Sequence, residues 1–255
     1  MHPPRYRRLR KWILGVVAAV ITASLVQILT GAFTSIGPWV RGLFAGQHPL
    51  HVAMSSDFVS FAREPLVLSY VIPRPADQVP PPPAYPPGPL PYEKIEQWAA
   101  SLGAVDANGT SVLITVTGRS AAAVVLTNLR VKVIERRQPL AGTHVSQPGG
   151  NDCPIRHFSV QLDSSPPTVK PLDESDEDIT YFPYKVSATE PEVFAIFANA
   201  DSCDCTWVAE LFWTAEGRKG STIIDDNGKP FRTTSTQNAP GYILGDGKIE
   251  PHRER

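Results

Sequence analysis

"CTWVAELFW", residues 205–213, decides the fold. Trp207, Ala209, Leu211 and Trp213 fall on one side of an extended chain, with Val208, Glu210 and Phe212 on the other. An apolar period of two marks a strand with one buried side, as in antiparallel sheets.

The pattern repeats outward. In "TSVLITVTG" (110–118), Val112, Ile114 and Val116 alternate with Leu113, Thr115 and Thr117. In "LTNLRVKVIERR" (126–137), Asn128, Arg130 and Lys132 point one way. In "RHFSVQLD" (156–163), Phe158, Val160 and Leu162 oppose Ser159, Gln161 and Asp163. "EVFAIFANA" (192–200) is apolar on both faces, which predicts a central strand. Turn residues separate the runs. Glu216-Gly217 divides two strands, and Asn227-Gly228 is a type I′ hairpin signal, since both central residues need positive φ. Asp246-Gly247 is a weaker repeat. In "YEKIEQWAASLG", Ile95, Trp98, Ala99 and Leu102 share one helix face, which predicts a short helix over 92–102 ended by Gly103. Seven or eight strands over about 160 residues predict a mainly β chain, an immunoglobulin-like antiparallel β-sandwich with one short helix.

The N-terminus is of another kind. Residues 1–11 carry Arg5, Arg7, Arg8, Arg10 and Lys11 and no acid. Next comes "WILGVVAAVITASLVQILTGAF", and no charge appears between Lys11 and Arg41. About 20 apolar residues suffice to cross a bilayer as a helix. Trp12 and Trp39 flank the run as interfacial aromatics do. The expectation is a transmembrane helix over 12–34, a cytoplasmic N-terminus and an extracytoplasmic C-terminal domain, in a single-pass protein of the cell membrane. A cleaved signal peptide would have a shorter apolar core and a small-residue cleavage site. Gly15, Ala18, Ala19, Thr22 and Ala23 form a faint stripe for helix contacts.

Removing the five tail cations from 24 leaves 19 basic against 25 acidic side chains. An acidic body with a basic tail excludes a nucleic-acid binder. With 26 prolines in 255 residues, proline is about twice its usual share. "RPADQVPPPPAYPPGPLPY" (74–92) predicts an extended spacer, or a surface loop that would bring the "PLVLSYVIP" strand (65–73) into the folded domain. The expected order is a basic tail (1–11), the span (12–34), a juxtamembrane segment with one strand (35–72), the spacer (73–92), the sandwich (93–250) and a C-terminal tail (251–255).

Three cysteines raise the question of chemistry. In an oxidising compartment, a bridge from Cys153 to Cys203 or Cys205 is the expected use. It would close a loop of about 50 residues and stabilise by roughly 3–4 kcal/mol. A metal centre on Cys153, His157, Cys203 and Cys205 has four ligands of zinc type, but a C-x-C pair in a strand holds its sulfurs about 7 Å apart. Asp201 and Asp204 would raise a thiol pKa and oppose a catalytic cysteine. Asp173, Glu174, Asp176, Glu177 and Asp178 offer oxygens to calcium, but the spacing is not that of an EF-hand, and a solvated loop is the ordinary outcome. Asn108-Gly109-Thr110 is both a glycosylation pattern and a turn. Trp98, Trp207 and Trp213 could stack on sugars, but their parity makes them core. No motif calls for a cofactor.

"AVVLTNLRVKVIERR", "RHFSVQLDSSPP", "CDCTWVAELFW" and "DDNGKPFRTTS" together resemble a set of membrane-anchored actinobacterial proteins with no assigned activity. The resemblance covers most of 65–235 and implies a bacterial cell envelope. The expected role is an extracytoplasmic binding or assembly module with a protein or envelope partner. The alternative is a metal-dependent protein or enzyme built on the cysteine–histidine set.

Overall fold

The computed structural model describes residues 48–55, 68–84, 92–147, 157–172, 179 and 182–252. The basic tail, the 12–34 run with Trp12 and Trp39, Cys153 and the acidic run 173–178 lie outside them. No helix of the described residues is long and apolar enough to cross a membrane.

A compact unit runs from Pro49 to Arg255. Its described residues are mainly β, with two sheets and one α-helix. The smaller sheet has the order β1 (Leu50–Ser55), β4 (Gly109–Gly118), β10 (Glu192–Asn199), β7 (His157–Gln161), β8 (Thr168–Leu172). β10 is its central strand, as the two-sided apolar run required. The larger sheet has ten strands. Its path is β15 (Lys248–Pro251), β14 (Gly241–Gly245), β6 (Thr143–Gln147), β2 (Leu68–Ile72), β3 (Val105–Ala107), β13 (Phe231–Thr234), β11 (Asp204–Ala215), β5 (Val124–Arg137), β9 (Tyr184–Val186). β12 (Arg218–Ile224) pairs with β11 beyond the end of β13.

Three expectations need correction. There are fifteen strands among the described residues, because strands of three to five residues are too short to leave a period in the sequence. Neighbours β10–β7, β13–β3 and β14–β6 run parallel, so the sheets are mixed. The sandwich does not begin at residue 93: β1 and β2 are hydrogen-bonded into the sheets. The proline-rich stretch is therefore a connection within the domain. Its start forms a 3-10 turn over Ala76–Gln78, and Val79 packs against the helix and its strands.

The core follows the alternation read from the sequence. Trp207, Ala209, Leu211 and Trp213 face Val112, Ile114, Val116, Phe194 and Ile196 across the two sheets. Trp207 is fully buried, and a side chain of its kind stabilises by roughly 1.5–3 kcal/mol. Phe158, Phe182, Phe194 and Tyr184 close one flank, with Tyr184 set edge-on to Phe194 at 5.7 Å.

The rest of the large sheet is covered by α1 (Tyr92–Ser101). Ile95 and Ala99 are buried, with Leu102 just beyond, against Leu68, Ile72, Val145 and Leu244. The helix stops because Gly103 takes φ 71°, letting its N–H reach the Ala100 carbonyl while the Ala104 N–H reaches Ala99. Tyr70, Asp106, Thr233 and Cys205 are successive partners across β2, β3, β13 and β11, so they share a face. One face of the large sheet is thus covered by the small sheet over β11 and by α1 over β2 and β6.

Candidate functional site

The structure corrects the cysteine pairing. Cys203 and Cys205 are bonded to each other, with Cα atoms 5.4 Å apart. Cys203 precedes the first residue of β11, so its backbone is free to close the distance that a regular strand would hold open. Both are buried in the inter-sheet core. His157 pairs with Ala195 and so points to the outer side of the small sheet, its ring 5.0 Å from that of Phe197. The two cysteines and His157 are therefore on opposite sides of that sheet, and bridged sulfurs are not thiolate ligands. Among the described residues no group of three or more metal-ligating side chains gathers.

Around the bridge, polar groups tie loops together. The Asp163 carboxylate accepts from the Asp201 and Ser202 amides (2.7 and 3.0 Å) and from the Ser202 hydroxyl (2.6 Å). Partial burial pushes its pKa up, but these donors outweigh it and hold it below the usual carboxylate value. Asp204, buried on β11, receives a two-pronged contact from Arg232 at 2.8 and 2.6 Å. Ser235 and Gln237 both donate to the Asp201 carbonyl. Asn108, at φ 60°, accepts from the Thr236 amide through Oδ1, so the Asn-Gly pattern is a structural tie.

A second constellation crosses the sandwich. Trp207 Nε1 donates to Thr233 Oγ1 at 3.0 Å, and Thr233 shares a 2.6 Å bond with Thr110. Thr110 in turn bonds the Asp106 carboxylate. Trp207 can only donate and an ionised Asp106 only accept, so the two hydroxyls point the same way along the chain. Burial, with a smaller push from Glu96 and against the Thr110 bond, raises Asp106 to about 6. Burial, then Asp106 and Glu96, raises the Tyr70 phenol. Glu96 is raised by burial and by Glu93. Sequence reasoning missed this group because its members are dispersed over the chain.

A third pair has the form of a nucleophile and base: Ser69 Oγ lies 2.9 Å from His144 Nε2. Burial, then His252, lowers the His144 pKa, which keeps the ring neutral near pH 7. Among the described residues no carboxylate is bonded to Nδ1, the place that the third member of a Ser-His-Asp triad takes.

The fourth place is open to solvent. The outer face of the large sheet over β9, β5, β11 and β12 can be read row by row from the register. One row is Lys185, Val125, Thr214 and Lys219, and the next is Asn128, Phe212 and Ser221. Then come Arg130, Glu210 and Ile223, followed by Lys132 and Val208. The Arg130 guanidinium sits 4.9 Å over the Phe212 ring. Glu210 accepts from Ser221 at 2.5 Å. Ile223 is 51% exposed, and Ile134, which the β5 bulge inserts between Val133 and Glu135, is 52% exposed. These are the only exposed large hydrophobics among the described residues. The outward direction of Arg130 and Lys132 was legible in the sequence, but the strands beside them were not.

Set against protein-family models, curated proteins and solved structures, the chain finds no match in any of the three.

Proposed function

We propose that the chain is a single-pass module of the bacterial cell envelope, held by residues 12–34 with its N-terminus in the cytoplasm. Its sandwich, immunoglobulin-like in that two sheets enclose one core, would stand outside the membrane as a binding or assembly domain for a protein or envelope partner. The observation that supports this reading is the Cys203–Cys205 bridge. Disulfides persist in oxidising compartments and are rare in a bacterial cytosol. The basic tail argues for the same orientation independently, since positive flanks stay inside. Binding is favoured over catalysis because the buried polar groups are spent on one another as structural ties, whereas the β5–β11–β12 face is open. The cysteine–histidine metal centre loses two of its four ligands to the bridge.

Protease treatment of spheroplasts carrying the full chain tests the reading. The sandwich should be cut, or clipped at an exposed loop, before lysis, while a cytoplasmic marker stays intact. A domain that is attacked only after lysis would place it inside and end the proposal.

A further inference from the structure

We propose that the β9–β5–β11–β12 face of the large sheet docks on an anionic lipid surface, an inference that rests on the membrane-anchored reading above. Four cations, Arg130, Lys132, Lys185 and Lys219, lie on these rows with one carboxylate, Glu210, which Ser221 engages, and the Glu135 carboxylate in the next row, opposite Thr206, is engaged by Arg137. No carboxylate lies within ion-pair distance of these four among the described residues. Between and beside them are Phe212, Val208 and the exposed Ile223 and Ile134.

A soluble polyanion would answer the cations and leave the isoleucines in water. A bilayer surface answers both, because phosphates lie level with the cations and the glycerol and acyl region lies just below. The face is a sheet surface and suits a planar partner. Chain length adds to this. Residues 35–49, between the proposed span and β1, reach at most about 50 Å when fully extended, so the lipid is always at high effective concentration. A weak individual contact then suffices. Each lysine or arginine near such a surface contributes about a five-fold change in partition, so removing two costs about 25-fold.

The test is amide exchange on the full chain in nanodiscs of phosphatidylcholine, alone or mixed with phosphatidylglycerol. β12 is the reporter, because among the described strands it pairs only with β11 and its other edge is open to exchange. Exchange over 218–224 should slow at least tenfold in the mixed discs alone. High salt should abolish the slowing, as should the Lys132→Gln/Lys219→Gln double variant, with β10 exchange unchanged as the check on folding. Equal exchange in both discs overturns the proposal. So does protection that appears only when soluble polyglutamate is added, which would assign the face to an acidic polypeptide. Discs present lipid on both sides, so the result does not depend on which compartment holds the domain. A chain that fails to enter discs refutes the anchor instead. The face is then read by sedimenting the soluble chain with vesicles of the same lipids, where loss of binding to the anionic ones overturns it.

Discussion

Trp207 and Asp106 are the two ends of one hydrogen-bonded chain, joined through Thr233 and Thr110. The chain leaves the large sheet at β13, touches the small sheet at β4, and returns at β3. It is a polar stitch inside an apolar sandwich, and such networks are costly when partly satisfied. Thr233→Val keeps the volume and removes both the acceptor for Trp207 and the donor to Thr110. We expect a loss of about 2–3 kcal/mol, mostly from the orphaned indole N–H and the misdirected Thr110 hydroxyl. Urea unfolding reads it. A loss under about 0.5 kcal/mol would show that the indole finds another partner.

Asp106 gives the domain a pH dependence of unusual sign. Its folded pKa of about 6 lies above the ordinary value of 3.8. Near pH 3 both folded and unfolded states are protonated and nothing is lost. As pH rises from about 4 to 6 the unfolded chain ionises first, so stability falls, and above pH 6 the whole penalty stands. Two pKa units correspond to about 3 kcal/mol at most. Glu96, also raised, adds in the same direction, while Asp163, lowered, acts below this window. Tyr70 from β2 and Glu93 and Glu96 from α1 are the other titratable groups in this environment. Asp106→Asn should leave stability near pH 4 unchanged, raise it by about 1–3 kcal/mol at pH 7.5, and flatten the slope between. Melting curves at several pH values decide it, and an unaltered slope would place the titration elsewhere.

The Cys203–Cys205 bridge closes a loop of only three residues. By the chain-entropy model that is worth about 1.6 kcal/mol, roughly half of what a bridge to Cys153 would provide. Reducing the protein should lower Tm by about 3–6 °C and leave the fold intact. Mass spectrometry after alkylation of the unfolded, unreduced chain should show Cys203 and Cys205 blocked. A modified Cys203 or Cys205 in that sample would mean another pairing.

What the sequence disclosed follows from where period and partner coincide. β11, β5 and β10 are long and half or wholly buried, so their side chains record the sheet face residue by residue. α1 and its Gly103 stop are local, and so are the Glu216-Gly217 and Asn227-Gly228 turns, whose four residues all have positive φ. β3 and β9, three residues each, record nothing by themselves. β2 was visible as a strand, but its place between β6 and β3 depends on partners far along the chain. The cysteine pairing failed for a different reason. A bond between Cys203 and Cys205 was not among the expected pairings, and it forms because the strand begins only at Asp204. The cations of the open face were legible on β5, whereas the assembly of that face with β9 and β12 depends on register.

Gly220 is required by a neighbour rather than by a turn. It lies opposite Trp213 on β11, and a Cβ there would sit 2.6 Å from Cη2 and 3.0 Å from Cε2 of that ring. The indole cannot simply move aside, because its N–H is held by Thr222 Oγ1 at 3.1 Å. Gly220→Ala should therefore destabilise by about 1–3 kcal/mol, although alanine favours a strand more than glycine does. In the Trp213→Leu background the same substitution should cost far less. Equal costs in both backgrounds would show that the clash is not with Trp213.

Arg232 and Asp204 face each other across the β11–β13 pair, the carboxylate 3% exposed and the guanidinium 36%. Removing the cation alone strands a buried charge, and removing both leaves two neutral groups able to bond each other. Breaking a buried pair costs about 3–5 kcal/mol, and the exposure of Arg232 reduces this to roughly 2–3. Arg232→Ala should show that loss, while Asp204→Asn/Arg232→Gln should recover at least half of it. The measurement is a double-mutant cycle in urea, where a coupling near zero would mean that solvent already screens the pair.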